Sequence, residues 1–177
     1  KMPNDSVECS CPLSHRLDEN ILIFGKDILK EIPKYLYNNK KQYILLFCDK
    51  NTYDAAGEKV CSILEEQNIK FEKIILQNTA SQLEKILIPE EDLIKILIKM
   101  VGEFIIPYEI SEVVCISVGS GTITDITRYI SYNHQISFIS VPTAPSMDCY
   151  ASSVAPLIIK GNKTTFSTQA PHKIFID

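Results

Sequence analysis

Histidine is scarce in this sequence: His15, His134 and His172 are its only three, and no two have a ligand's spacing. That excludes a metal site built on a histidine pair and a Ser/His/Asp hydrolase arrangement. An excess of positive charge is lacking too. Lys and Arg number 18 against 22 acids, for a net charge of −4. The lysines alternate with acids, as in "EKVCSILEEQNIKFEK", which is the pattern of solvated helix faces and not of a nucleic-acid grip. No apolar run reaches the ~20 residues of a membrane span. "LIKILIKMVGEFIIP" comes nearest, but Lys95, Lys99 and Glu103 interrupt it at helical spacing. Lys1–Leu17 is polar and rich in Cys and Pro, unlike a signal peptide, so a cytoplasmic location is expected. Of the six cysteines only Cys9 and Cys11 are close together, and C-x-C is a poor zinc signature. Unlinked thiols are expected, with Cys48 and Cys115 acting as small hydrophobes inside apolar runs.

What is present is an alternation of short apolar runs with longer amphipathic ones. The 177 residues suffice for one core of ordinary size, and 45% are hydrophobic. Strands are expected at "NILIFG", "QYILLFCD", "FEKIILQ", "SEVVCISVG", "QISFISV" and "HKIFID". Helices are expected at "KDILKEIPKYLYNN", with Pro33 in the first turn or at a kink, and at "TYDAAGEKVCSILEEQN", capped by Thr52 or Asp54. Two more are expected at "EEDLIKILIKMVGEF" and "TDITRYISYN". "APLIIKGNKTTFST" reads as a hairpin with Gly161-Asn162 at its turn. Strands that are apolar throughout and separated by helices predict an α/β, Rossmann-like parallel sheet covered on both faces.

In such sheets ligands bind beyond the carboxyl ends of the strands. The unusual residues of this chain cluster there. "GSGT" at 119–122 follows the fourth strand and opens a helix. Its bare backbone suits either a phosphate held at a helix N-terminus or a tight packing corner. Asp49 ends the second strand, where it either accepts from ribose hydroxyls or caps the next helix. Asp148 is the only charge between Arg128 and Lys160. It serves either a polyol, a metal-bound water or backbone amides, or else a helix cap.

"CDKNTYDAAGEKVCSILEE", "SVGSGTITDITRYIS" and "SVPTAPSMDCYASSVAPLIIKGNKTTFSTQAPHKIFID" resemble the sn-glycerol-1-phosphate dehydrogenases, within the iron-containing alcohol dehydrogenase and dehydroquinate synthase-like superfamily. The resemblance covers most of residues 20–177, and residues 1–19 carry no family signal. It implies an NAD(P)-binding Rossmann-like domain over 20–177. It also implies reversible hydride transfer between NAD(P)H and dihydroxyacetone phosphate, giving sn-glycerol 1-phosphate. By motif position it assigns cofactor contacts to Asp49, Gly119, Ser120, Gly121, Thr122, Ile123, Thr143, Ala144, Pro145, Ser146 and Ser152. Asp148 takes the place of a substrate-binding aspartate. A homo-oligomer is implied for the full-length enzyme.

Two departures stand out. Position 149 is Cys where the motif usually has Gly, so a positive φ there would strain it. Family members also continue into an all-helical second domain, whose aspartate and two histidines hold zinc or nickel. That domain is expected to lie outside these 177 residues. No catalytic or metal residue is therefore expected within the chain, and the 177 residues alone are expected to be inactive. A glycerol or other polyol dehydrogenase of the same superfamily, or a non-catalytic nucleotide-binding domain, are the alternative readings.

Overall fold

The computed structural model describes residues 21–77, 87–144 and 149–177. Among the described residues eight strands are formed: β1 (Leu22–Phe24), β2 (Tyr43–Cys48), β3 (Phe71–Ile75), β4 (Val113–Val118), β5 (Ser137–Val141), β6 (Val154–Ile159), β7 (Asn162–Ser167) and β8 (Lys173–Ile176). Six of them make one sheet in the order β1-β8-β5-β4-β2-β3, every neighbouring pair parallel. The continuous apolar runs are explained by burial on both sides: all of β4, and Ile44–Cys48 of β2, are buried.

Alternate side chains of these strands meet different helices, as the period of 2 requires. Leu45, Phe47, Cys115 and Phe138 face α4 (Glu91–Ile105) and α5 (Gly121–Asn133), which pack through Leu93, Leu97, Val101, Ile126 and Ile130. Ile44, Leu46, Cys48, Val114 and Ile116 face α1 (Ile32–Asn38) and α3 (Glu58–Glu66), which pack through Ile32, Leu36, Val60 and Leu64. The neighbours β2 and β4 therefore lead into helices on opposite faces. In parallel sheets of this kind, ligands bind where two such connections part, at the carboxyl ends of those strands.

β6 and β7 form a separate antiparallel hairpin. It lies against α5 and α4 through Leu157, with Ala155 also buried, and the ring of Phe166 meets that of Tyr129 at 4.9 Å. Ile159 pairs with Asn162, so the hairpin turn is Lys160-Gly161 and not the expected Gly161-Asn162. Lys160 and Gly161 take φ of 51° and 75°, the two positive values that a two-residue hairpin turn matching strand twist demands.

Other expectations shift by a few residues. The first amphipathic run splits into a 3-10 turn, Ile28–Glu31, and then α1, with Pro33 in α1's first turn. The second begins at Lys50, with α2 (Lys50–Thr52) and a wide π-type turn, Tyr53–Gly57, leading into α3. Its cap is Asp49, not Thr52 or Asp54. The Asp49 carboxylate accepts from Thr52 N at 2.7 Å while Thr52 Oγ1 accepts from Asp49 N at 2.9 Å, a reciprocal capping box. The helix expected over 124–133 starts earlier, at Gly121.

Candidate functional site: the carboxyl-terminal lip of the sheet

Asp49, Gly119 and the segment after Val141 extend three strands that are consecutive in the sheet, β2, β4 and β5. Their register is level. Phe47 lies opposite Ser117 and Val118 opposite Val141. The Gly119 N–H continues the ladder to the Val141 carbonyl at 3.0 Å. Continuing that register puts Asp49, Gly119 and Pro142 level on neighbouring strands, with Thr143 one residue further on. The buried strands end in a half-exposed lip: Asp49, Ser120, Gly121, Thr122, Thr143 and Ala144 are all partly accessible. Pro145, Ser146 and Asp148, like residues 1–19, lie outside the described residues.

Gly119 answers first to packing. Its φ is +157°, and a Cβ there would lie 2.6 Å from Ile123 Cγ1 and 2.7 Å from Ile123 Cβ. Ile123 itself is buried, and its N–H donates to the Ser120 carbonyl at 3.0 Å. Its side chain therefore serves the corner rather than the lip. The N-terminus of α5 is open. Ser120 is extended at the N-cap and its hydroxyl does not cap the helix. No acid lies in α5's first turn, whereas α4 carries Glu91 and Asp92 in its own. The N-terminal N–H groups and the positive dipole end of α5 thus face the lip with no neighbouring carboxylate in that turn to repel an anion.

An unexpected feature lies further along α5. Arg128 is fully buried, and its Nη1 donates to Asp125 Oδ1 at 2.7 Å and to the Val154 carbonyl at 2.7 Å. Its Nη2 donates to the Cys149 carbonyl. The guanidinium lies 5.7 Å from the Phe138 ring centroid, within cation–π range. Burial pushes the Asp125 carboxyl up to about 6 even though Arg128 draws it down, and burial likewise lowers the Arg128 guanidinium from its ordinary value. Desolvation outweighs pairing on both partners. The sequence signal was "DITR", opposite charges three residues apart in a helix with no other charged residue. Ser152 belongs to this cluster. Its N–H donates to the Cys149 carbonyl at 3.1 Å, and its hydroxyl accepts from Val154 N at 3.1 Å.

The profile of the iron-containing alcohol dehydrogenases matches residues 23–177. The chain belongs to this family. Among curated relatives, a glycerol-1-phosphate dehydrogenase (NAD(P)+) of Halalkalibacterium halodurans is 34% identical over 171 residues, 96% of this chain and 40% of that protein. The enzyme of the same name from Bacillus subtilis is 36% identical over 157 residues, 88% of this chain and 37% of that protein. The chain thus spans about two fifths of the length of these relatives. The fold is shared with the NADH-dependent butanol dehydrogenase A of Thermotoga maritima, at a TM-score of 0.71 and 12% identity over 89% of this chain and 42% of that one.

Iron-containing alcohol dehydrogenases are metal enzymes by name, but among the described residues no three His, Cys, Asp or Glu side chains gather as ligands. The described residues do not fit a metal ion, and no step is routed through one. Two of the strand thiols are inert. Cys48 and Cys115 are fully buried, and burial pushes the Cys48 thiol up to about 12 and Cys115 higher still, so both stay protonated at neutral pH. His134 Nε2 lies 3.0 Å from the Ile98 carbonyl, remote from the lip, and His172 is exposed. A groove of about 600 Å³ opens at the opposite rim, lined by Lys30, Lys34, Tyr37, Lys41, Ile63 and Glu66. Its lysines are engaged, Lys30 by Asp27, Lys34 by Glu31 and Lys41 by the Ser111 carbonyl. Among the described residues no helix is long and apolar enough to cross a membrane.

Proposed function

We propose that residues 20–177 are the cofactor-binding part of an NAD(P)-dependent sn-glycerol-1-phosphate dehydrogenase. The observation that carries this reading is the meeting of Asp49, the open α5 N-terminus and Thr143 on one lip, at the point where the connections of β2 and β4 part. The names of the curated relatives support the substrate class. The adenosine ribose sits at Asp49, whose Oδ1 is engaged by Thr52 N, leaving Oδ2 to accept from a ribose hydroxyl. The pyrophosphate lies on the N–H groups of Gly121 and Thr122, with the Ser120 and Thr122 hydroxyls beside it. Gly119 and Ile123 hold the corner that aims those groups. Thr143, Ala144, Pro145, Ser146 and Ser152 line the nicotinamide side, and Asp148 binds substrate hydroxyls.

Bound NADH or NADPH supplies the hydride that reduces the carbonyl carbon of dihydroxyacetone phosphate. This chain's own contribution is to bind and orient the cofactor. The metal ligands and the phosphate wall belong to the rest of the enzyme, so this chain alone binds cofactor without turnover.

Titration with NADH tests the reading. Cofactor fluorescence rises on binding to the 177-residue chain and fails to rise with Gly121→Val or Asp49→Ala. An unchanged titration in both variants overturns the site. The full-length protein reduces dihydroxyacetone phosphate in preference to unphosphorylated dihydroxyacetone, and the reverse preference makes it a polyol dehydrogenase instead.

A further inference from the structure

Arg128 is the largest fully buried side chain of the described residues, and it is charged. A buried ion pair can often be replaced by well-packed apolar residues of similar volume with no loss of stability. Its presence here therefore calls for another reason. Among the described residues its Nε finds no partner, although its other nitrogens are used for three contacts. Two of those contacts leave α5 altogether. They are the carbonyls of Cys149 and Val154, the residues that also hold Ser152, through its N–H and its hydroxyl respectively.

We propose that Arg128 is a positioning residue for the nicotinamide side of the cofactor site. Asp125 orients the guanidinium from the preceding helical turn. The planar fork then fixes the 149–154 segment to α5, the same helix whose N-terminus receives the pyrophosphate. The two walls of that site are thereby carried on one rigid element. Arginine suits this task and lysine does not, because one guanidinium serves a carboxylate and two separate carbonyls at once, in a fixed plane. The proposal rests on the cofactor reading above. The strand order sets the direction: adenosine at β2, pyrophosphate at β4, nicotinamide beyond β5, from which the 149–154 segment follows.

The test measures NADH and AMP binding, with urea unfolding in parallel, on the wild-type chain, the double variant Asp125→Leu/Arg128→Met, and Arg128→Lys. The double variant removes both charges together, so no unpaired charge stays buried and the chain folds. Its NADH affinity falls by roughly tenfold or more, the value of one well-placed hydrogen bond, while AMP binding is unchanged. Arg128→Lys keeps the charge opposite Asp125 but loses the fork, and NADH alone weakens again. A general structural role would lower NADH and AMP binding together with the urea midpoint. Equal loss of both ligands, or full NADH affinity in either variant, overturns the positioning role. Wild-type protein that binds neither ligand overturns the cofactor reading itself.

Discussion

Replacing Gly119 by alanine separates two reasons for a bare backbone at this corner. The new methyl group would meet Ile123 Cγ1 at 2.6 Å and Ile123 Cβ at 2.7 Å. Rotating χ1 moves the first atom but not the second, which is fixed to the α5 backbone. Either α5 shifts or the strand end does, and overpacking of this kind costs about 1–3 kcal/mol. The φ of +157° adds about 1–2 kcal/mol of backbone strain for a residue with a Cβ. The sum, about 2–5 kcal/mol, is a large share of a typical domain's stability. With a urea slope of about 2 kcal/mol/M, the unfolding midpoint falls by roughly 1–2.5 M in protein free of cofactor. The companion variant Ile123→Ala removes Cγ1 and leaves Cβ, so Gly119→Ala costs less in that background, with a coupling of about 1 kcal/mol. A loss below about 1 kcal/mol, accompanied by loss of NADH binding, would refute the packing argument and assign the glycine to ligand clearance alone.

Two further expectations follow from the described contacts. Asp49→Ala removes the capping box and lowers stability by about 1 kcal/mol, whereas Asp49→Asn, which keeps the acceptor, stays within about 0.5 kcal/mol in the same urea assay. Asp125 makes stability depend on pH. Its folded value of about 6 lies above the ordinary 3.8, so its contribution is fully present below about pH 3.8 and is lost as pH rises through 6. Measured against Asp125→Asn, wild-type stability therefore rises by about 1 kcal/mol as pH falls from 7 to 5. A loss over the same interval would mean that Arg128 and the more distant Lys163 prevail over desolvation.

Most of the element sequence was legible because burial on both faces writes long apolar runs. Ile44–Cys48 and Val113–Val118 contain no internal polar alternation, and only a doubly covered strand tolerates that. The order of the strands was not legible. Nothing local to "HKIFID" says that β8 inserts between β1 and β5, since a crossover connection carries no register. The hairpin turn was misplaced by one residue because Gly161-Asn162 looks like turn chemistry, yet the left-handed residue paired with Gly161 is Lys160. Of the candidate site, the lip residues were legible as types at strand ends, but Gly119's debt to Ile123 was not.

The Asp125–Arg128 pair shows why some of the site could not be read in advance. Opposite charges three apart on a helix usually mark a solvated face. Whether Arg128 meets water depends on where β6 and the 149–151 turn land, which is set by Leu157 finding the outer side of α5. Once that hairpin docks, the same two charges cease to be surface decoration and hold three pieces of chain together. The pattern that needs tertiary contact to become visible is therefore the one that ties the hairpin region to α5, whose N-terminus opens on the lip. A substitution in the hairpin's apolar face, remote from the lip in sequence, should be felt at the nicotinamide side through Arg128 and scarcely at Asp49.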